Sequence, residues 1–458
     1  MKSLLTWYKS HPASDLWIGA APSMLLLVLL LHDTERVQSL RLLCLWMLLF
    51  GIYAGWILRY RQDHAWLPGK EHIRLQSGMG IGIALRLIAA TAIPVLSDDY
   101  FRFLWDGQLW LEGINPFTML PRSLAEDPGR LEALGLSMSW FDSLNSPDFF
   151  TIYPPVLQAL FILGASTGSI VAGVFVLKGS ILIAELLNLF LLDRILRRLG
   201  RPRHWALWYA LNPLVIVELC GSLHFEALMI TFVLAAIYFL LSGKYDLSAL
   251  MLGLGVVTKL LPLIFLPFLI RRIGWKASIR YGFITGLVVL LCFLPLLSAE
   301  MLNGFRESLS LYVNRFEFNA GLWYAVRWVG MQITGWNLIR EIGPWFTPVA
   351  AGLILGYTLL ERNPNKKNWA TTMLYSLTIY FFLSLIVHPW YICTLVLLAP
   401  LANKRFPLLW SVWLPFTYLA YQVEPVTESM WLIACEYLSV LIFLMVENKG
   451  KPRQVVLL

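Results

Sequence analysis

The chain has 458 residues, of which 58% are apolar and 14% charged, with a formal net charge of +8. Ordinary soluble domains run at roughly 45–50% apolar and about 25% charged. The deficit of charge excludes a disordered chain, a coiled coil and a nucleic-acid-binding domain with a basic face. The apolar residues fall in long runs: Leu16–Leu31, Leu42–Leu58, Tyr281–Ser298, Trp345–Leu360 and Trp369–Val387 contain no Asp, Glu, Lys or Arg. Each approaches the roughly 20 residues that cross a bilayer core. The chain therefore reads as one all-α, polytopic helical membrane domain over residues 1–458, with the lipid bilayer as its solvent. Its five cysteines, Cys44, Cys220, Cys292, Cys393 and Cys435, sit in or beside apolar runs without a CxxC, so neither a disulfide framework nor a zinc site is indicated.

In chain order, Lys2 and Lys9 precede a first apolar run with no small-residue cleavage site after it, which reads as a retained span. Spans near 16–31, 40–58 and 78–96 follow. Basic loops stay on the cytoplasmic side. Arg59–Arg74, Asp193–Arg203, Arg271–Arg280, Glu361–Lys367, Asn403–Arg405 and Glu447–Arg453 are such loops, which sets both termini inside. The segment 97–152 then faces outward, about 55 residues without a long apolar run, and loops of that length usually carry function. Tyr153–Gly164 is expected as a half-inserted or interfacial helix and 247–270 as a short helical hairpin broken near Lys259–Pro262. The expected total is about 12 spans, in a range of roughly 11–14.

The same topology collects four polar clusters on the outer face: Ser97-Asp98-Asp99, Leu223–Glu226, Asn314–Asn319 and His388-Pro389-Trp390. Within 97–117, Ser97 is a candidate helix cap with Asp98 and Asp99 in the first turn. Asp98, Arg102 and Asp106 follow at i, i+4, i+8 on one face, with Asp99 in reach of Arg102. Phe101, Leu104, Trp105 and Leu109 form an apolar stripe, and Gly113 with Asn115-Pro116 ends the element. This predicts an amphipathic interfacial helix over about 98–113.

Inside the spans, Lys178 and Glu185 share a face seven residues apart and are expected to pair with other intramembrane groups, and Arg86 lies mid-span with no partner evident. Gly78-x-Gly80-x-Gly82 reads as helix packing, since no strand precedes it. Glu317 and Asn319 lie in an aromatic-rich outer loop near Trp323 and Tyr324, which offer flat faces to a sugar.

The ordered set of motifs resembles the GT-C superfamily of membrane glycosyltransferases that use polyprenyl-phosphate sugars, and within it the bacterial mannosyltransferase branch. Asp98-Asp99, Arg102, Trp105-Asp106-Gly107 and Gly113-x-Asn115-Pro116-Phe117 carry the likeness first, then Tyr153-Pro154-Pro155. Gly221-x-x-His224-Phe225-Glu226-Ala227-Leu228-Met229 is similar to a family G-x-x-H-N-D-x-L-M, departing at Phe225 and Glu226. Lys259-Leu260-Leu261-Pro262 and His388-Pro389-Trp390-Tyr391 complete it. The resemblance implies an inverting glycosyltransferase, moving a sugar (mannose by branch likeness) from a polyprenyl-phosphate donor to a hydroxyl on a glycan, glycolipid or protein. An external aspartate would be the base, Asp99 ahead of Asp98. Arg102, Lys259 and His388 are candidates for the phosphate, and Asp106, Tyr153, His224, Glu226, Glu317, Asn319 and Trp390 for substrate contacts.

A sugar hydroxyl needs a carboxylate to accept its proton, and a lipid monophosphate leaving group needs cationic donors. No soluble-type DxD and no His or Cys pair with metal spacing occurs, so a metal-independent reaction without cofactor is expected. The setting implied is a bacterial inner membrane with a periplasmic site. A flippase or transporter of lipid-linked glycans shares the span count and the intramembrane charges, and a polymerase or ligase acting on pyrophosphate-linked glycans keeps the enzyme class.

Overall fold

A computed structural model describes residues 13–63, 71–314, 316–361, 364–365, 368–422 and 426–449. Lys2, Lys9 and parts of the basic loops (64–70, 362–363, 366–367 and 450–453) lie outside the described residues, as does the side chain of Asn314. The fold is helical. Numbering α-helices of eight residues or more, the order is α1 Ser14–His32, α2 Ser39–Asp63, α3 Glu71–Ala90, α4 Asp99–Leu111, α5 Pro155–Ala165, α6 Ile170–Arg198, α7 Glu226–Leu241 and α8 Tyr245–Val256. Next come α9 Trp275–Phe293, α10 Ala299–Asn314, α11 Gly321–Thr334, α12 Ile339–Leu360, α13 Trp369–Phe382, α14 Ile392–Ala402, α15 Phe406–Trp413 and α16 Met430–Lys449.

Among the described residues seven helices are long and apolar enough to cross a membrane: α1, α2, α3, α6, α9, α12 and α16. Pro213–Gly221 and α7 pass the same test together but are bent through 115°, the geometry of a broken span or a re-entrant loop, so the count is seven, or eight with that pair as one span. The remaining apolar segments are short or broken. Proline accounts for much of this, since it removes an amide donor and clashes with the preceding turn. Pro262 and Pro267 hold Leu261–Leu269 in a 3-10 helix, and Pro415 lies in another that continues α15 over Leu414–Gln422. Third-span residues also shift from the expected register: α3 ends at Ala90, and Pro94 lies in the irregular stretch before α4. On α9, apolar side chains such as Phe283 and Leu291 face outward, as lipid-facing side chains do.

Inside the bundle, Arg86 and Glu185 form an ion pair. Arg86 Nε lies 2.8 Å from Glu185 Oε2, and its Nη1 donates to the Ala210 carbonyl at 2.6 Å. Glu185 Oε1 accepts from the Tyr209 hydroxyl at 2.6 Å and from Asn188 at 2.7 Å. Glu185 is thus the partner that the sequence left unidentified for Arg86. Lys178 instead donates to two backbone carbonyls, Gly221 at 2.7 Å and Ala89 at 3.3 Å.

The segment 97–152 carries its own small core. Trp105 and Leu109 of α4 bury against Leu124, Leu131, Leu136, Phe141 and Leu144, which come from three short helices at Pro121–Ala125, Pro128–Ala133 and Met138–Asp142 and the turns between them. The other side of α4 meets α5 closely at Gly107, where an added Cβ would lie 2.1 Å from the Phe161 carbonyl oxygen. That contact is with backbone and cannot be relieved by a rotamer change.

Two loops far apart in sequence are joined by the parallel bridge Phe318↔Ile386, an isolated strand-like contact in a helical protein. Phe318 N donates to Leu385 O at 3.0 Å, and Val387 N donates to Phe318 O at 2.9 Å.

Removing one member of the sealed Arg86–Glu185 pair leaves a buried charge without its counter-ion. Glu185→Ala is expected to cost ~3–5 kcal/mol, seen as a lower midpoint in thermal unfolding of detergent-solubilised protein. The double change Arg86→Met, Glu185→Leu is expected to recover most of it.

Candidate active site

A cavity of about 1070 Å³ opens at the end of the bundle where the loops 33–38, 91–98 and 316–320 meet. Small-molecule sites run at about 300–1,000 Å³, so it has room for a large ligand. Nine of the sequence-predicted residues line it: Asp98, Asp99, Tyr153, His224, Glu226, Lys259, Glu317, His388 and Trp390. Arg102, Asp106 and Asn319 do not.

The two aspartates are held differently. Asp98 occupies the N-cap position of α4, and its Oδ2 lies 3.0 Å from Arg36 Nη2. Arg36 in turn sits 4.5 Å from the centre of the Tyr421 ring. Asp99 is the first residue of α4 and accepts from the Asn145 amide at 2.6 Å, a neutral donor. Both carboxylates are half-buried.

Arg102 takes a supporting position. Its Nε lies 2.8 Å from Asp106 Oδ1, and its Nη1 donates at 2.9 Å to the carbonyls of both Ser146 and Phe149. Asp106 also accepts from Gln158 at 3.3 Å, and Gln158 accepts from the Trp110 indole at 2.9 Å. The network ties α4 to α5 and to the strap 145–149, which delivers Asn145 to Asp99. The expected contact of Arg102 with Asp98 or Asp99 is replaced by this one, because the i+4 acid and the strap carbonyls take its fork.

On another wall, Lys259 lies in the turn 257–260 between α8 and the 3-10 segment. It forms an ion pair with Glu226 at the start of α7, and its Nζ sits 4.3 Å from the Tyr391 ring centre. Val156 N donates to the Val257 carbonyl at 3.2 Å, pinning the start of α5 to the same turn. Tyr153 packs edge-on to Phe103 at 5.0 Å.

Trp390 is sandwiched between two imidazoles: His224 at 3.7 Å and 16°, His388 at 4.4 Å and 8°. Burial pushes the His388 ring down to about 3, with Lys259 and His224 nearby acting in the same direction. It is therefore a neutral ring near pH 7.

Glu317 accepts from Arg327, from the Trp323 indole and, at 3.4 Å, from Asn337. Asn319 is buried behind it. Its amide N donates to Glu428 at 2.8 Å and its Nδ2 to Glu436 at 3.1 Å, while its carbonyl accepts from the Tyr437 hydroxyl at 2.7 Å. It fastens the 316–320 loop rather than facing the cavity. Burial raises the Glu428 carboxyl above its usual range. Among the described residues no group of three or more His, Cys, Asp or Glu gathers in metal-ligand geometry.

Sequence reading passed over Arg36, Asn145, Arg327 and Glu428, all of which line the cavity, and Glu218 behind it. Glu218 carried a usable signal: it is an acid inside the apolar run Leu214–Cys220, the criterion that singled out Lys178 and Glu185. Arg36 was marked only by being a cation in the short loop between two spans. Nothing local marks Asn145.

The depressed His388 ring gives a pH dependence with a definite sign. Its folded value lies below the unfolded value of about 6.5. The unfolded chain therefore takes up a proton first, and stability is lost as pH falls from about 6.5 toward 3. Thermal unfolding of wild type is expected to weaken over that window, and His388→Phe, which keeps a ring against Trp390, is expected to flatten the slope.

A family model described as the N-terminal domain of alpha-(1->6)-mannopyranosyltransferases of the MptA/MptB type matches residues 12–274, more than half of the chain. Alpha-(1->6)-mannopyranosyltransferase A of Mycobacterium tuberculosis is 27% identical over 180 residues, covering 39% of this chain and 33% of that protein. A second M. tuberculosis alpha-(1->6)-mannopyranosyltransferase is 29% identical over 159 residues, 33% of this chain and 25% of its own length. The Corynebacterium glutamicum alpha-(1->6)-mannopyranosyltransferase A is 25% identical over 182 residues, 39% and 35% respectively. The matches thus span a quarter to about a third of the length of these relatives. The family match takes in Asp98, Asp99, Tyr153, His224, Glu226 and Lys259 and stops before Glu317, His388 and Trp390. The chain belongs to the MptA/MptB family of bacterial GT-C alpha-(1->6)-mannopyranosyltransferases.

Proposed function

We propose that the protein is an inverting mannosyltransferase that takes mannose from a polyprenyl-phosphate donor and passes it to a hydroxyl acceptor, with Asp99 as general base. The observation that carries this is the unequal treatment of the two cavity aspartates. Asp98 faces a guanidinium, while Asp99 faces an uncharged amide. A carboxylate already bound to a cation is the poorer proton acceptor. Asp99 takes the acceptor proton as the hydroxyl oxygen attacks the anomeric carbon. The bond from that carbon to the phosphate oxygen breaks, and the phosphate leaves with the electron pair. An alpha product by this single displacement requires a beta-linked donor.

Lys259 and Arg327 are the cavity cations that complement the phosphate, each able to exchange its carboxylate partner for a phosphate oxygen. Trp390 and the aromatic residues around it offer flat faces to sugar rings. The acceptor is a hydroxyl on a glycan, glycolipid or protein. A lipid monophosphate has no second phosphate to bridge, so the reaction is expected to run in excess chelator. Basic residues gather at the opposite end of the bundle, among them Arg197, Arg203 and Arg272. This supports a cytoplasmic location for that end and for both termini, and a periplasmic cavity in a bacterial inner membrane. The charges that motivated a flippase, Arg86, Lys178 and Glu185, do not line the cavity.

Transfer of radiolabelled mannose from polyprenyl-phosphate-mannose by purified protein tests the reading. Asp99→Asn is expected to lower kcat by about 10²–10⁴-fold, and Asp98→Asn by less. Full activity in the Asp98→Ala, Asp99→Ala double variant would sink the assignment.

A further inference from the structure

Five carboxylates line the cavity, against three Lys or Arg cations. Asp98, Glu226 and Glu317 each hold one of those cations: Arg36, Lys259 and Arg327 respectively. Among the described residues, Asp99 and Glu428 have no ion pair. Asp99 has its place in the chemistry proposed above. Glu428 has none there, and it lies in the part of the chain beyond the family match, just before α16.

Glu428 is held by neutral donors. Its Oε1 accepts from the Asn319 backbone amide at 2.8 Å, and its Oε2 accepts from the Tyr324 hydroxyl. Both oxygens accept, as those of an ionised carboxylate do, and each keeps a second lone pair. The wall around it is braced. The Asn319 carbonyl takes the Tyr437 hydroxyl at 2.7 Å, and the Arg327 guanidinium lies 4.4 Å from the centre of the Tyr324 ring.

Tyr421 links this wall to the aspartates. Arg36, the partner of Asp98, sits 4.5 Å from the centre of its ring, and Phe318, one residue before Asn319, sits 6.0 Å from it. Thr427 N donates to the Ala420 carbonyl at 3.1 Å, which ties the Glu428 segment to the backbone beside the same tyrosine. Glu428 and the Asp98-Asp99 pair thus flank one cavity tyrosine. A sugar that offers one hydroxyl to Asp99 brings further hydroxyls with it. A carboxylate is a strong acceptor for them. With no cation of its own, it also repels an acid group.

We propose that Glu428 is a specificity-determining residue that accepts hydrogen bonds from the non-reacting hydroxyls of an uncharged acceptor sugar and turns away a sugar carrying an acid group. The inference rests on the mannosyltransferase reading above and deepens it, by placing a contact of the acceptor on the wall opposite the base.

The test is binding of octyl α-mannopyranoside, and of octyl α-mannopyranosiduronate with its carboxylate at C6, to purified full-length protein in lipid nanodiscs, alongside mannose transfer. Wild type is expected to bind the neutral glycoside at least about ten-fold more tightly than the acid. Glu428→Gln keeps the shape, and the Tyr324 hydroxyl can turn to accept from the new amide. This variant is expected to weaken the neutral glycoside by about ten-fold without weakening the acid, so that the preference disappears. Tyr324→Phe removes a bond within the wall but leaves the charge, and is expected to keep the preference. Wild type that does not separate the two glycosides would overturn the proposal. So would unchanged binding of the neutral glycoside in Glu428→Gln. Loss of both glycosides by the same factor, or loss of the preference in Tyr324→Phe, would reduce Glu428 to a brace for the loop and overturn it too. Glu428-dependent binding in a protein that transfers no mannose leaves Glu428 as a sugar contact and removes the transferase reading. Mannose transfer with binding indifferent to Glu428 does the reverse.

Discussion

A charge carried into an apolar helical bundle has to bring its partner with it. Three pairs join segments distant in sequence, Arg36 with Asp98, Arg86 with Glu185 and Lys259 with Glu226, and a fourth, Arg327 with Glu317, ties a loop to the helix that follows it. Each pair fixes the approach of two elements as firmly as packing does, and three of the four stand in the cavity wall. The cavity is therefore rich in charge but nearly free of uncompensated cations. Asp99 and Glu428 depart from the pattern. Both accept hydrogen bonds from neutral groups, Asp99 from Asn145 and Glu428 from the Asn319 amide and the Tyr324 hydroxyl.

How much of this was legible in the sequence depends on how local the signal is. The helical membrane class followed from uninterrupted apolar runs, because a bilayer permits little else. The polar clusters at 97–99, 223–226 and 388–390 were recognisable because charge or histidine at a span end is expensive and stands out. The span count was harder, since Pro262, Pro267 and Pro415 lie in segments coiled as 3-10 helix, too short for a length rule to count. Arg102 shows the limit of periodicity. Its spacing to Asp98 and Asp106 was read from one helix face, whereas its actual partners include carbonyls more than forty residues away. Tertiary partners of that kind leave no trace in local spacing. Asn145 and Arg36 were missed for the same reason.

The family relationship covers the half of the chain that supplies the aspartates, the strap around Asn145, the turn bearing His224 and the Lys259 turn. The opposite wall, with Glu317, Arg327, His388 and Trp390, comes from the remainder. A cation–π contact and a ring stack cross this division: Arg36 lies over Tyr421, and His224 stacks on Trp390. The cavity is thus a joint property of both halves. A ligand seated between them reports on each.

The bridge between Phe318 and Ile386 acquires significance in that setting. It consists of two backbone hydrogen bonds, yet it ties the loop bearing Glu317 to the loop bearing His388. Backbone bonding of this kind is indifferent to side-chain identity, so the two loops are held together whatever residues they carry. The far wall of the cavity is thus two loops held at a fixed separation, and its distance from the aspartate wall, rather than either loop alone, sets the width of the site.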